Sequence, residues 1–289
     1  MSGSRGLRQT VLIIALLAAG WIGLRWFEKA NIFIPGHQFA AMPATFGLHH
    51  EEVALTSADG LKLHGWFIPE AAFKPAPRAK PVRGPLAEQG LVLLYCHGNA
   101  GNVSDRVPKA ALFLRLGLSV LLFDYRGYGK SAGSPSEEGT YCDAEAAWRW
   151  LTQVKRFPPD KIVIYGESLG NGVALETALR HAPKVLILDS AFTSIVDMGR
   201  EVFPWLPVRL MVTMRYDNLA KIPRIHCPVL VMHSRQDRVV PFRMGQALFA
   251  AAPQPKEFLE MTGSHDEGYL ETGDAYPKTV QSFLRRYAR

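Results

Sequence analysis

The chain has 289 residues, 48% of them hydrophobic and 20% charged, enough apolar material for a large core and too much for intrinsic disorder. Its formal net charge of +7 comes from lysines and arginines scattered along the chain without a stacking-aromatic pattern, which argues against a nucleic-acid partner. Three cysteines, Cys96, Cys142 and Cys227, stand far apart in apolar or helical surroundings, so they read as core thiols rather than a disulfide framework or a CxxC site.

The first element is apolar. From Val11 to Leu24 the chain reads VLIIALLAAGWIGL, with Arg5 and Arg8 before it and Arg25, Trp26 and Phe27 after it. At about 1.5 Å per residue this run covers about two thirds of a hydrocarbon core of about 30 Å. A snorkelling Arg25 and the interfacial Trp26 and Phe27 extend it, so residues 1–30 are expected to form a signal anchor, a single-pass transmembrane segment. Ala18-Ala19-Gly20 offers a signal-peptide cleavage site instead, and a buried core helix is the plainer alternative. Arg5 and Arg8 nearly balance Arg25 and Lys29; with the basic N-terminus inside, the rest of the protein is expected outside the cytosol.

Residues 31–50, with two prolines, two glycines and no strong period, read as an extended connector. Glu52 to Thr56 and Leu61 to Ile68 flank the turn signal Ala58-Asp59-Gly60 and predict an antiparallel hairpin. A proline-rich surface loop, FKPAPRAKPVRGP, follows. Then come four wholly apolar runs, Leu91 to Tyr95, Ser119 to Phe123, Ile162 to Tyr165 and Val185 to Leu188, and a fifth at Val229 to Met232. Stretches long enough for helices separate them, for example Asp143 to Val154. Strands buried on both faces and joined by helical crossovers predict an α/β fold over residues 51–289, a mostly parallel sheet with helices on both faces.

In such a sheet ligands collect at the carboxyl ends of the strands. The segments there are CHGNAGN, DYRGYGKS, GESLGNG, DSAF and HSRQD. The third contains GxSxG at Gly166 to Gly170, after a strand and before a helix. That is the pattern of a nucleophile elbow, a turn so tight that it holds Ser168 above the sheet edge. A glycine-rich turn with Ser168 as a helix cap is the structural alternative. A serine hydroxyl needs a base, and the base needs an acid to orient it. His265 is the only histidine after Asp237, and the order Ser168, Asp237, His265 suits this fold. Asp189, after the preceding strand, is the rival acid. His233 reads as the end of its strand, and Asp266 is not expected to take part.

The oxyanion formed in acyl transfer needs fixed donors. The N–H of Leu169 is one candidate and the N–H of Asn99, in the His97–Asn102 loop, the other; His97 itself is open to a purely structural reading. Gly129-Lys130-Ser131 resembles the end of a P-loop but lacks its first glycine, since Asp124 stands there. Gly127, Gly129 and Ala132 fit a dinucleotide pattern that Gly133-Ser134-Pro135 breaks. No HExxH or Cys/His ligand spacing occurs, so neither a metal nor a cofactor is expected.

The segments HGNAGN, DYRGYGKS, GESLGNG and PVLVMHSRQDRVVP, in this order behind an apolar N-terminus, resemble the Bem46-type membrane-anchored α/β-hydrolases. The resemblance extends to the serine aminopeptidase-like hydrolases and the mammalian ABHD13 and ABHD17 groups. It spans roughly Glu51 to Arg289 and implies Ser168 as nucleophile, Asp237 as acid and His265 as base. Ser234, where the family usually has glycine, departs from the pattern at the turn that presents Asp237. The expected reaction is hydrolysis of an ester or thioester through an acyl-serine, on a small-molecule or acylated substrate; amide hydrolysis and a non-catalytic anchored scaffold are the alternatives. A small lid is expected near residues 191–222, where MGREVFPWLPVRLMVTM supplies apolar side chains for an acyl pocket or a membrane contact, an ordinary packed helix being the plainer reading.

Overall fold

The computed structural model describes residues 2–72 and 84–288; most of the proline-rich loop, residues 73–83, lies outside the described residues. Its centre is an eight-stranded sheet: β1 (Glu51–Thr56), β2 (Lys62–Ile68), β3 (Val92–Cys96), β4 (Ser119–Phe123), β5 (Ile162–Glu167), β6 (Val185–Asp189), β7 (Val229–Ser234) and β8 (Lys256–Met261). Their spatial order is β8-β7-β6-β5-β3-β4-β2-β1. Only β2 runs against its neighbours, so the sheet is mostly parallel as the apolar runs predict. The expected hairpin is β1–β2, closed by a turn in which Gly60 takes a φ of +84°.

Alternation decides what each strand residue meets. In β3, Val92, Leu94 and Cys96 enter one core, whereas Leu93 and Tyr95 enter the other. In β5 the division is Ile162 and Ile164 against Val163 and Tyr165. Because both parities are apolar, both faces must be covered. On the first face lie α3 (Glu137–Arg149), α4 (Gly170–Arg180) and α8 (Phe242–Ala251); on the second lie α2 (Val107–Leu116) and α10 (Ala275–Tyr287). Helix α3 starts six residues before the expected Asp143, because the Ser136 hydroxyl caps the Gly139 N–H at 3.1 Å and two glutamates occupy the first turn. Residues 150–154 continue it as a π turn.

Two N-terminal features differ from expectation in extent. Helix α1 (Ser2–Ile32) is 31 residues long, and its Val11–Ile32 stretch is long and apolar enough to cross a membrane by length and composition. Its apolar run is exposed, yet the last turn enters the globular body, where Glu28, Ile32 and Phe33 are buried. The connector is extended but tied down. Ile34–Pro35 pairs in parallel with Ala100–Gly101, and the N–H groups of Ile34 and Gly36 donate to Asn99 O and Gly101 O at 3.0 and 2.9 Å. These bonds satisfy backbone groups that the loop after β3 would otherwise leave bare.

Between β6 and β7 stand three short helices, α5 (Ile195–Val202), α6 (Val208–Met211) and α7 (Asn218–Lys221). Pro204 and Pro207 prevent one continuous helix there, which makes the expected lid a folded-over strap rather than a rod. A final short helix, α9 (Gly268–Glu271), follows β8.

Candidate active site

The chain crosses from β4 back past β3 to β5, so the carboxyl ends of β3 and β5 lie side by side where the winding reverses. The turn after β5 is severe. Ser168 has a φ of +50°, a left-handed conformation that a side chain other than glycine's adopts only under constraint. A Cβ on Gly170 would stand 2.0 Å from the Cys96 carbonyl, and one on Gly166 would stand 2.7 Å from Asn171 Cα. The two glycines therefore let α4 start hard against β3, and the serine is thrust out over the strand ends.

His265, in the loop after β8, reaches the serine: its Nε2 lies 3.0 Å from Ser168 Oγ. Its Nδ1 lies 2.7 Å from Asp237 Oδ2, so the N–H is on Nδ1 and Nε2 is left to accept the serine proton. The other oxygen of Asp237 accepts the N–H groups of Val239 and Val240, both at 2.8 Å. Burial by itself would push this carboxyl up, but hydrogen bonds from His233 and His265 outweigh it and hold Asp237 well below the usual carboxylate range. Burial would likewise push His265 down; the hydrogen bond and charge of Asp237 reverse that and leave it above the ordinary imidazole value.

His233 does more than end its strand. Its Nε2 is 3.0 Å from Val240 O and 3.4 Å from Asp237 Oδ2, so it braces the acid from below. Ser234 has a task too. Its hydroxyl donates to Gly263 O, and Gln236 Oε1 accepts Gly263 N–H at 3.1 Å, stitching the Asp237 turn to the loop that carries His265.

Asn99 and Leu169 line the same cavity as Ser168. Leu169 immediately precedes α4, where a helix N-terminus favours negative charge. His97 fixes the other peptide. Its Nδ1 donates to Gly98 O at 2.7 Å, and because the linkage is planar and trans the Asn99 N–H faces the opposite way. Burial beside Tyr125 and Tyr128 pushes His97 down to about 4, which keeps it neutral and in that tautomer at pH 7.

Asp189 is engaged elsewhere. It shares the parity of Val185 and Ile187 and so faces α2 and α10, where Tyr165, Tyr276 and Lys109 approach Oδ2 at 2.6, 3.0 and 3.5 Å. Glu167, next to the serine, joins the same buried cluster through Lys109 at 2.6 Å, Tyr95 at 2.8 Å and Arg106 at 3.2 Å. The Gly129-Lys130-Ser131 segment is structural: Ser131 donates to Asp124 O at 2.8 Å and Lys130 covers the Phe39 ring. Among the described residues no cluster of metal-ligating side chains occurs.

A cavity of about 220 Å³ opens in front of Ser168. One side is the expected lid, including Met198, Phe203 and Leu206; another, which the sequence did not suggest, is the end of α1, with Leu24, Phe27 and Ile32. The buried Glu28 ties the two together, accepting the N–H groups of Thr213 and Met214 at 2.6 and 2.7 Å.

A sheet wound in this order, with a strained serine at its reversal point, defines an α/β hydrolase. A family model described as the alpha/beta hydrolase fold matches residues 92–211. The chain belongs to the Bem46-like branch of that fold. It is 31% identical to Protein bem46 of Schizosaccharomyces pombe, over 94% of this chain and 90% of that one. The alpha/beta hydrolase domain-containing protein WAV2 of Arabidopsis thaliana is 32% identical, over 94% and 92%. The Mycobacterium tuberculosis protein Rv2307c is 35% identical, over 96% and 95%. Among solved structures the Pyrococcus furiosus esterase Pf2001 superposes with a TM-score of 0.69 at 19% identity, covering 89% of this chain and 100% of that one. XC6422 of Xanthomonas campestris, an α/β serine hydrolase without a lid, gives 0.59 at 22%, covering 83% and 95%. At these identities the two structures speak to the fold.

Proposed function

We propose that this hydrolase cleaves carboxylic esters or thioesters through an acyl-Ser168 intermediate. The observation that carries the reading is the unbroken contact from Asp237 to His265 to Ser168, at 2.7 and 3.0 Å, at the mouth of an apolar cavity. His265 takes the Ser168 proton as Oγ attacks the carbonyl, and Asp237 stabilises the imidazolium. The Leu169 and Asn99 N–H groups receive the developing oxyanion. The imidazolium then protonates the departing alcohol or thiol, and a water activated by the same base releases the acid. The weakly polar cavity suits an acyl chain rather than a peptide, which favours ester and thioester over amide.

We also propose that α1 anchors the chain in a membrane, with Arg5 and Arg8 on the cytosolic side and the hydrolase domain on the other. A fluorophosphonate probe tests the chemistry: the intact chain is labelled and Ser168→Ala is not. An intact, folded chain that takes no label removes covalent catalysis from consideration and leaves the anchored scaffold. Protease protection in sealed vesicles tests the orientation.

A further inference from the structure

The last turns of α1 form a wall of the cavity at Ser168, and this juxtaposition says where the acyl group comes from. Leu24 is both the final residue of the charge-free run and a cavity-lining residue. If Val11–Leu24 occupies the hydrocarbon layer, the cavity begins at the level where that layer ends. Phe27, Asn31 and Val202 line the cavity and are also exposed, so its rim lies along the seam between α1 and the lid; Val239, beside the Asp237 turn, does the same.

The outer face of the lid continues this apolar surface. Phe27 packs on Phe203 with ring centres 5.8 Å apart, and Phe203 on Trp205 at 6.1 Å. Trp205 is 75% exposed and Leu210 84%, a degree of exposure that a lid facing water alone does not explain. Residues 203–215 carry two exposed arginines, Arg209 and Arg215, and no carboxylate, a charge complementary to the phosphates of lipid headgroups on either leaflet. Inside the cavity Glu28, the one acidic lining residue among the described residues, is consumed by Thr213, Met214 and Arg25, so the space is fitted to a neutral apolar chain. At about 220 Å³ it exceeds the roughly 150 Å³ that admits a benzene ring.

We infer that the acyl group enters from the bilayer through the seam between α1 and the lid, and that the substrate is an acyl-ester lipid resident in that bilayer. The inference rests on the proposed acyl-serine chemistry and on α1 as the anchor. Ser168 Oγ attacks the lipid's ester carbonyl, and the proton passes through His265 to the lysolipid alcohol, which leaves toward the headgroups. Water then cleaves the acyl-serine, releasing a fatty acid and restoring the hydroxyl.

The test uses the full chain reconstituted in vesicles of phosphatidylcholine and phosphatidylglycerol, measuring fatty-acid release from the vesicle lipid beside hydrolysis of dissolved p-nitrophenyl butyrate. The double variant Trp205→Ser, Leu210→Ser is expected to lower the lipid-to-butyrate ratio of kcat/KM by about tenfold or more, the effect of losing two interfacial apolar side chains. Phe27→Trp, which narrows the cavity from the α1 side, is expected to shift the preference toward shorter acyl chains. An unchanged ratio in the double variant overturns the inference, as does faster turnover of an S-acylated peptide held in the same vesicles. Absence of both butyrate hydrolysis and fluorophosphonate labelling instead strikes the acyl-serine chemistry itself, so the two failures are distinct.

Discussion

At Ser168 a positive φ, a 3.0 Å contact to His265 and a helix N-terminus coincide, and each makes a measurable demand. The base must be neutral to accept a proton. Because Asp237 holds His265 above its ordinary value, the acid limb of kcat/KM is expected above about pH 6.5, with activity falling as pH drops through it. In Asp237→Asn the limb is expected to move down and kcat to fall by about 10⁴-fold, read from the pH profile of ester hydrolysis. The raised imidazole also makes a contribution to stability that is present below its unfolded value and lost as pH rises through the folded one. The depressed Asp237 acts in the opposite direction, its contribution being lost as the carboxylate protonates in acid. Gly170 marks a second demand. Gly170→Ala places a methyl 2.0 Å from the Cys96 carbonyl, and a destabilisation of about 3 kcal/mol or more is expected in denaturant unfolding. The elbow was legible in the chain because Gly166 meets Asn171 only five residues on and the order Ser168, Asp237, His265 can be read directly, whereas the Cys96 carbonyl that Gly170 meets belongs to another strand. The bracing of Asp237 by His233 was not, since it needs a turn that brings residue 233 beneath residue 237.

Between elements, the feature that matters is the buried polar cluster joining β5, β6, α2 and α10. Lys109 bridges Glu167 and Asp189, while Tyr95, Tyr165 and Tyr276 fill the remaining acceptor sites. Burial would raise Glu167, but Lys109 and Arg106 override it and hold the carboxyl well below its usual range. Lys109→Met is therefore expected to cost about 3 kcal/mol, the low end for a broken buried pair because Arg106 remains. Urea unfolding near neutral pH measures it. The same pairing predicts that stability declines as pH falls below the normal carboxylate range, and that the variant declines less steeply. Strand parity already places Asp189 on the far face with Val185 and Ile187. That parity is a property of the sequence and by itself separates Asp189 from Asp237. The elements themselves were readable from apolar run and period, whereas the early start of α3 turned on one Ser136 cap.

Over the whole molecule, α1 is not an appendage. Its Glu28 holds Thr213 and Met214, and its last turns close the cavity, so α1 and the hydrolase body share one core. Glu28→Ala is expected to destabilise the junction by about 2 kcal/mol, the penalty for two backbone donors left without their acceptor. Limited proteolysis between residues 203 and 215 should then speed up while fluorophosphonate labelling of Ser168 persists. Equal cleavage rates in the two proteins would mean that α1 does not hold the 203–215 segment.

The amino-acid sequence alone determined the parallel sheet, the strained serine and the residues able to complete its site, because apolar period, turn sterics and chain order are local or ordinal properties. Tertiary structure decided which carboxylate meets the imidazole, which way the Asn99 amide faces and that an apolar N-terminal helix doubles as a cavity wall. Those outcomes rest on contacts such as Glu28 to Thr213, 185 residues apart in the chain. A pairing over that distance leaves no periodicity to read; it exists only once burial has brought the two segments against the same core.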